Sequence, residues 1–434
     1  MIEPTRKKLV LTVLLLFSFR LAFGLTSEFW FEDEKQVYLI GLKSFATHSW
    51  PYFGPDVTNQ IQIPGALQGL LISVPLFILH IPEAPFILLN LLSFASLCLL
   101  AWYCTKRLPE LPKWFVWIWL MTAPWTLNFS THIVNPSYVL PGAILFFVGF
   151  LESFPYTTKH LIPSWLANFM MGFSLFWVMQ LHMSWTVMLP YVAASLYFQL
   201  RKKNVVKSFG WFLLGCAITG SLLLPTFLKY GFSEGLGGTG STATLNGNNL
   251  LKILNPVEGV VPRFLSFASF ELARFIGDNS ATRWLFVRQH LWLTPVLLLL
   301  LVVGILQPLA MIVIWFLKND TQDWPAIKWL TLASVGLLCA SFMFSLKAPA
   351  SHTFYLMLPI AMIYSFYCWS KYLAEPKWQK FAMLFLACGA VFHIALGLDH
   401  YKRVSLYVDR LIPASAIEKG DYRILGERRS GAKY

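Results

Sequence analysis

The chain has 434 residues, of which 56% are hydrophobic, 16% aromatic and only 13% charged. A water-soluble domain carries about 25% charged residues, so composition excludes a soluble globule and predicts an all-α polytopic membrane protein. The formal charge of +13 comes from basic residues scattered between apolar runs, with no basic face and no interleaved aromatics. That pattern excludes a nucleic-acid partner and leaves topological signalling and attraction to anionic membrane lipids.

The N-terminus reads Arg6, Lys7, Lys8 and then an apolar run, 9 to 25, with no small-x-small cleavage site, so a retained signal anchor is expected as the first span. Directly after it, in SEFWFEDEKQVYLI (27 to 40), stand three consecutive carboxylates, Glu32, Asp33 and Glu34. The stretch from Val37 to Phe45 is apolar and suited to lie on the bilayer surface, which would hold the acids at the boundary between lipid and water. A carboxylate there is partly desolvated and suited to accept a proton. The segment 64 to 80 is short and carries Gln68, Pro75 and His80. Further apolar windows follow at 84 to 104, 114 to 130, 137 to 152, 163 to 181, 184 to 200, 208 to 228, 291 to 317, 328 to 345, 352 to 370 and 378 to 396.

Basic residues cluster in alternate connections, around Lys106 and Arg107, Lys159, Arg201 to Lys207, Lys318 and Lys328, and Lys371 to Lys380. The positive-inside rule places these in the cytoplasm together with the N-terminus. Both statements hold only if 64 to 80 does not cross, so it is read as a juxtamembrane or re-entrant helix. Eleven spans result, with the N-terminus inside. The expected organisation is a transmembrane module over 1 to 228 that includes an external loop at 26 to 83, an external loop at 229 to 290, C-terminal helices over 291 to 396 and a short external tail, 397 to 434. In the long loop, 231 to 249 is Gly-, Ser-, Thr- and Asn-rich and reads as a flexible lid or linker. Residues 261 to 278 read as an interfacial amphipathic helix with Arg263, Glu271 and Arg274 between apolar positions.

The outer face collects the unusual polar segments. His132 and Asn135 share one short turn and His182 another, which makes them candidates for substrate hydrogen bonding. Arg20, within the first span, needs to snorkel or to pair with Glu28 or an acid of the cluster. Trp30, Trp50 and Tyr52 lie near the outer surface, where rings can stack on sugars. The six cysteines fall in apolar runs and read as packing residues. No P-loop or HExxH occurs. The carboxylates and imidazoles leave room for a divalent metal, although no ligand spacing demands one and no cofactor is required.

An Asp-Glu pair just after the first span with a Tyr four residues on (Asp33, Glu34, Tyr38), a Pro-led apolar segment (Ile63-Pro64-Gly65) and a span ending in Lys106-Arg107 together resemble the GT-C glycosyltransferases. The pattern is most similar to protein O-mannosyltransferases and bacterial aminoarabinose transferases, in which seven spans precede a large external loop. Many members have Pro-Pro where this chain has Ile63-Pro64, and the long loop and tail are brief. The resemblance implies a polyprenyl-phosphate sugar donor of the undecaprenyl type, an acceptor hydroxyl on a glycan, lipid or protein, and a bacterial inner membrane with the site on the periplasmic face. Asp33 would act as general base in an inverting transfer, with Glu34 orienting it. The leaving phosphate needs positive charge, for which Arg263, Arg274, Arg283, Arg288, Lys347 and His352 are candidates, with Lys347 and His352 the preferred pair. The competing readings are a lipid-linked oligosaccharide flippase, which should place ionisable groups in mid-span, and an O-antigen polymerase or ligase, which should have two large external loops.

Overall fold

The structure, a computed structural model, describes residues 6–27, 32–56, 62–201, 205–235, 245–277, 279–345, 347–403 and 406–425. It is helical apart from one small hairpin. Helix α1 (Arg6–Ser27) leads to α2 (Glu32–Thr47), strands β1 (Phe53–Asp56) and β2 (Gln62–Pro64), and α3 (Leu67–Ile78). Then come α4 (Ala84–Arg107), α5 (Lys113–Thr122), α6 (Pro124–Thr131), α7 (Val139–Ser153), α8 (Ser164–Met179), α9 (Leu189–Leu200), α10 (Val205–Gly220) and α11 (Leu224–Gly235). Short helices α12 (Asn249–Ile253), α13 (Val260–Ser266), α14 (Ala273–Ile276) and α15 (Ser280–Gln289) precede α16 (Thr294–Phe316), α17 (Trp324–Met343), α18 (Leu358–Leu373), α19 (Pro376–Arg403) and α20 (Leu406–Lys419).

Among the described residues seven stretches are long and apolar enough to cross a bilayer: Val10–Ser27, Ala84–Arg107, Val206–Phe232, Leu291–Phe316, Trp324–Met343, Ser351–Leu373 and Pro376–Tyr401. The chain is therefore built as a multi-pass membrane protein. The other apolar windows of the sequence form shorter or broken helices. Helix α3, at 12 residues, is about 18 Å long and well short of roughly 30 Å of hydrocarbon.

The window at 114 to 130 is broken where Ala123 turns extended (φ −59°, ψ 141°) before Pro124. Proline has no N–H and disfavours a helical residue before it, so carbonyls at the break lose their helical partners. Arg20, fully buried on α1, supplies the missing donors. Its guanidinium donates to the Met121 carbonyl (2.8 Å), the Thr126 carbonyl (3.2 Å) and Ser130 Oγ (2.6 Å). This corrects the expected pairing of Arg20 with an acid: the charge is solvated by the polar groups that a proline break exposes inside an apolar assembly.

Contacts sort the helix ends. At one end Arg107 bridges Glu152 (2.7 Å) and Asp323 (3.3 Å) and donates to the Lys159 carbonyl. The second Glu152 oxygen accepts from the Leu161 and Ile162 N–H groups, and Asp323 accepts from the Thr158 N–H and hydroxyl. At the other end, His132 Nε2 lies 2.7 Å from Ser27 Oγ, and His400 Nδ1 lies 3.0 Å from the Ser27 carbonyl. Between the ends, α8 and α10 pack backbone to backbone. A Cβ on Gly172 would sit 2.0 Å from the Phe212 carbonyl oxygen, and one on Gly215 would sit 2.3 Å from that of Phe169, the close approach that small residues allow in membrane helices.

The segment expected as an interfacial helix over 261 to 278 is neither continuous nor superficial. It breaks into α13 and α14 around a non-helical stretch in which Phe267, Ala268 and Phe270 are buried. The Phe270 carbonyl oxygen lies 2.2 Å from where a Cβ on Gly304 of α16 would stand, its ring approaches Gly389 of α19, and it meets Trp119 at a centroid distance of 4.7 Å. Gln307 donates to the Ala268 carbonyl (3.2 Å). The loop thus re-enters the helical assembly, because side chains with an apolar recurrence bury as well against helices as against lipid. The end of the presumed linker is also anchored: Asn246 N–H donates to the Met343 carbonyl, and Asn249 Nδ2 donates to the carbonyls of Phe342 (2.9 Å) and Ser345 (2.8 Å). Residues 236 to 244 lie outside the described ones.

Candidate functional site

At the end of the assembly that holds Ser27 and His132, a basic cluster forms from four separate stretches of chain. Arg274 of α14 lies over the Trp125 ring of α6 (5.0 Å) and donates to His352 Nδ1 (3.2 Å). His352 sits in a 3₁₀ turn, Ser351–Met357. Arg263 of α13 and Lys347 act electrostatically on His352 as well, and so does His352 on His182. Lys347 is exposed, whereas Arg263 is partly tied up by Glu258 at 3.9 Å and by the Glu258 carbonyl.

Donor and acceptor roles follow from the partners. Arginine has no acceptor, so His352 Nδ1 accepts the Arg274 proton and the imidazole carries its hydrogen on Nε2. His352 is then a neutral donor beside the Arg274 cation, with Lys347 a further cation acting on it. His182 repeats the arrangement. Its Nδ1 accepts from the Ser184 N–H (3.1 Å), leaving Nε2–H as donor. Burial, and then His352, push the His182 imidazole down to about 4, so it too is neutral at pH 7. Three cations and the neutral His182 thus lie within electrostatic range of His352, with Arg274 in direct contact, a set of charges and donors suited to an oxyanion of phosphate type.

Trp125 Nε1 donates to Glu271 (2.8 Å). From the sequence, Glu271 is only a polar position of an amphipathic helix, and nothing there singles out Trp125. Together they fix the ring on which the Arg274 guanidinium rests. Asn249 was missed altogether, since an Asn-rich stretch reads as linker; its amide holds the carbonyls that position Lys347, including that of Lys347 itself (3.4 Å).

The remaining candidates fall elsewhere. Asp33 is the second residue of α2, but its side chain and that of Glu32 lie outside the described ones. Glu34 is buried in the first turn of α2. Tyr38 is fully buried, donates to the Pro82 carbonyl (3.0 Å) and stacks on Phe86, so its ring is part of the packing of α2 on the start of α4. His132 pairs with Ser27 instead of with the basic cluster, and Asn135 Oδ1 is buried without a hydrogen-bond partner among the described residues. The Ser27 hydroxyl gives its proton to the Phe23 carbonyl (2.5 Å), so His132 Nε2–H donates to Ser27 Oγ. Arg283 is turned to the Gly277 carbonyl. The first loop nevertheless reaches the cluster. Gly65, at φ 110°, lies against the Gln180 side chain two residues before His182, and β1 packs on the Gln180 carbonyl.

Burial, and then His400, push the His132 imidazole down to about 3, against about 6.5 in an unfolded chain. The folded state binds fewer protons between these values. Stability is therefore complete above about pH 6.5 and is lost as pH falls towards 3. A loss of about 1–2 kcal/mol between pH 7 and 5 is expected from His132, read as a falling thermal midpoint. A His132→Asn variant should show a shallower fall, and an unchanged slope would remove His132 as its source.

Among the described residues no group of three His, Cys, Asp or Glu side chains is placed to hold a metal ion. Comparison of the chain with protein-family models, with curated proteins and with solved structures finds no match.

Proposed function

We propose that this chain is an integral membrane glycosyltransferase of GT-C type with eleven spans, which moves a sugar from a polyprenyl-phosphate donor to an acceptor hydroxyl at the outer face of the membrane. The observation that supports this reading is the contact of Arg274 with His352 and Trp125, with Arg263, Lys347 and His182 in electrostatic range of His352. A phosphate leaving group needs no general acid, because it departs as a stable anion. It needs positive charge and hydrogen-bond donors already in place where that charge grows. Arg274, held between Trp125 and His352, is the best-ordered cation of the set. In this mechanism Asp33 takes the proton of the acceptor hydroxyl as its oxygen attacks the anomeric carbon opposite the phosphate, inverting it. Glu34 orients Asp33. The donor's prenyl chain stays in the bilayer while its phosphate enters the cluster.

Reconstituted protein offered polyprenyl-phosphate sugars and acceptor glycans should release free polyprenyl phosphate. Arg274→Ala should weaken polyprenyl phosphate binding about tenfold or more, the scale of a lost charge-assisted contact. Binding that is indifferent to Arg274, or no release from any donor tried, would overturn the proposal.

A further inference from the structure

A second pair of cations lies apart from the basic cluster. Lys229 of α11 stands 4.1 Å above the Tyr52 ring and 5.3 Å from the Tyr230 ring, and Lys43 of α2 stands 5.6 Å above the Tyr422 ring. Tyr52 and Tyr230 meet edge to face at 5.5 Å. The corner is held together by Thr226 of α11, whose hydroxyl donates to the Tyr52 carbonyl (2.7 Å). Among the described residues no acid pairs with Lys229. Helix α2 packs both on β1, next to Tyr52, and on the turn that holds Tyr422, which brings Lys43 to the same corner as Lys229. Burial, and then Lys229, lower the Lys43 ammonium below its ordinary value, an effect that an anion between the two would reverse.

The surroundings say what kind of anion fits. Lys229 lies in the last turn of the apolar stretch Val206–Phe232. Beside it Leu224, Leu228 and Phe232 are 56%, 77% and 74% exposed, and in a membrane these side chains face hydrocarbon. The helix kinks at Gly231 (φ 70°), where the chain turns out of the apolar layer. A lysine at that level carries its ammonium into the zone of the lipid phosphates. The Tyr52 face is covered by the Lys229 ammonium, which removes it as a stacking surface for a sugar and leaves the corner cationic.

We propose that Lys43 and Lys229 bind the headgroup phosphate of an anionic membrane phospholipid, tying α2 and α11 to the bilayer surface at one point. The site goes beyond the transfer reaction and does not depend on it. It joins the helix that carries Asp33 and Glu34 to the lipid, so that the first loop is positioned by the membrane as well as by the protein.

The test is native mass spectrometry of full-length protein released from nanodiscs of phosphatidylglycerol, of phosphatidylcholine, or of phosphatidylcholine with added polyprenyl phosphate. Wild type should retain phosphatidylglycerol in preference to phosphatidylcholine. K43A/K229A should lose that preference by about tenfold or more, the scale expected of two interfacial lysines. K328A is the control, since Lys328 stands over Trp315 at 4.1 Å near the opposite end of the assembly, and it should retain the lipid as wild type does. Equal thermal midpoints in phosphatidylcholine would show that the double variant is folded. Retention of phosphatidylglycerol by folded K43A/K229A at the wild-type level overturns the proposal. Lysine-dependent retention of polyprenyl phosphate alone overturns it too, and assigns the pair to the donor.

Discussion

Replacing Asp33 by Asn is expected to lower the rate of sugar transfer by two to four orders of magnitude while donor binding changes less than about twofold. That range is what a positioned general base contributes. Asn keeps the size and hydrogen-bonding shape of the side chain but cannot take a proton, so an effect confined to the chemical step points to proton transfer. Glu34→Gln should cost less, because an orienting group acts through its neighbour. The comparison is made by single-turnover transfer and by equilibrium binding of polyprenyl phosphate to the same reconstituted sample. Transfer at the wild-type rate in D33N would remove Asp33 as base. Loss of donor binding without a separate rate defect would assign it to donor recognition instead.

The second large effect is structural. Arg107→Ala should destabilise the protein by about 3–5 kcal/mol, the cost of removing one member of a buried ion cluster and stranding the rest. The Arg107 side chain is 2% exposed, with Glu152 at 0% and Asp323 at 5%. With Arg107 gone, two carboxylates face each other's surroundings without a cation, while Glu152 must still hold the Leu161 and Ile162 N–H groups. Glu152→Gln should be milder, since an amide oxygen can continue to accept from one of them. All six cysteines are free thiols, and Cys104 is buried one turn before Arg107. Labelling of Cys104 and Cys368, the two buried thiols, therefore reads the unfolding midpoint in protein whose four half-buried cysteines are replaced by Ala. A midpoint within one or two degrees of wild type would show that the cluster adds nothing to stability.

The long helices were legible because the membrane imposes a length and an apolarity that a sequence displays openly: α4, α16, α18 and α19 coincide with uninterrupted apolar windows. The shortness of α3 was legible as well, from the conflict it created with the basic residues of later connections. What was not legible depends on contacts distant in sequence. The recurrence of Phe264, Phe267, Leu272 and Phe275 fits a lipid-facing helix and a buried re-entrant segment equally well. Only the presence of Gly304 and Gly389 opposite Phe270 decides between them. Arg20 reads as a charge in need of an acid until the proline break 101 residues away supplies carbonyls. Within the candidate site, residue types were legible and roles were not. Whether His352 is cation or neutral donor is set first by its burial and then by Arg274, 78 residues earlier, and no local pattern carries that information.

The hydrogen bond from His400 to the carbonyl of Ser27 joins the last long apolar helix to the first, with Gly397 packed on Thr26 and Phe23 beside it. Segments enter a membrane in the order in which they are synthesised. The end of α1 from which the acidic helix departs therefore waits for α19 before its neighbours are complete. A ribosome that stops before α19 leaves a bundle with an open seam at that end, with the Ser27 carbonyl and the aromatic face of Phe23 uncovered. This end of the molecule therefore closes only once α19 has been made and has packed on α1.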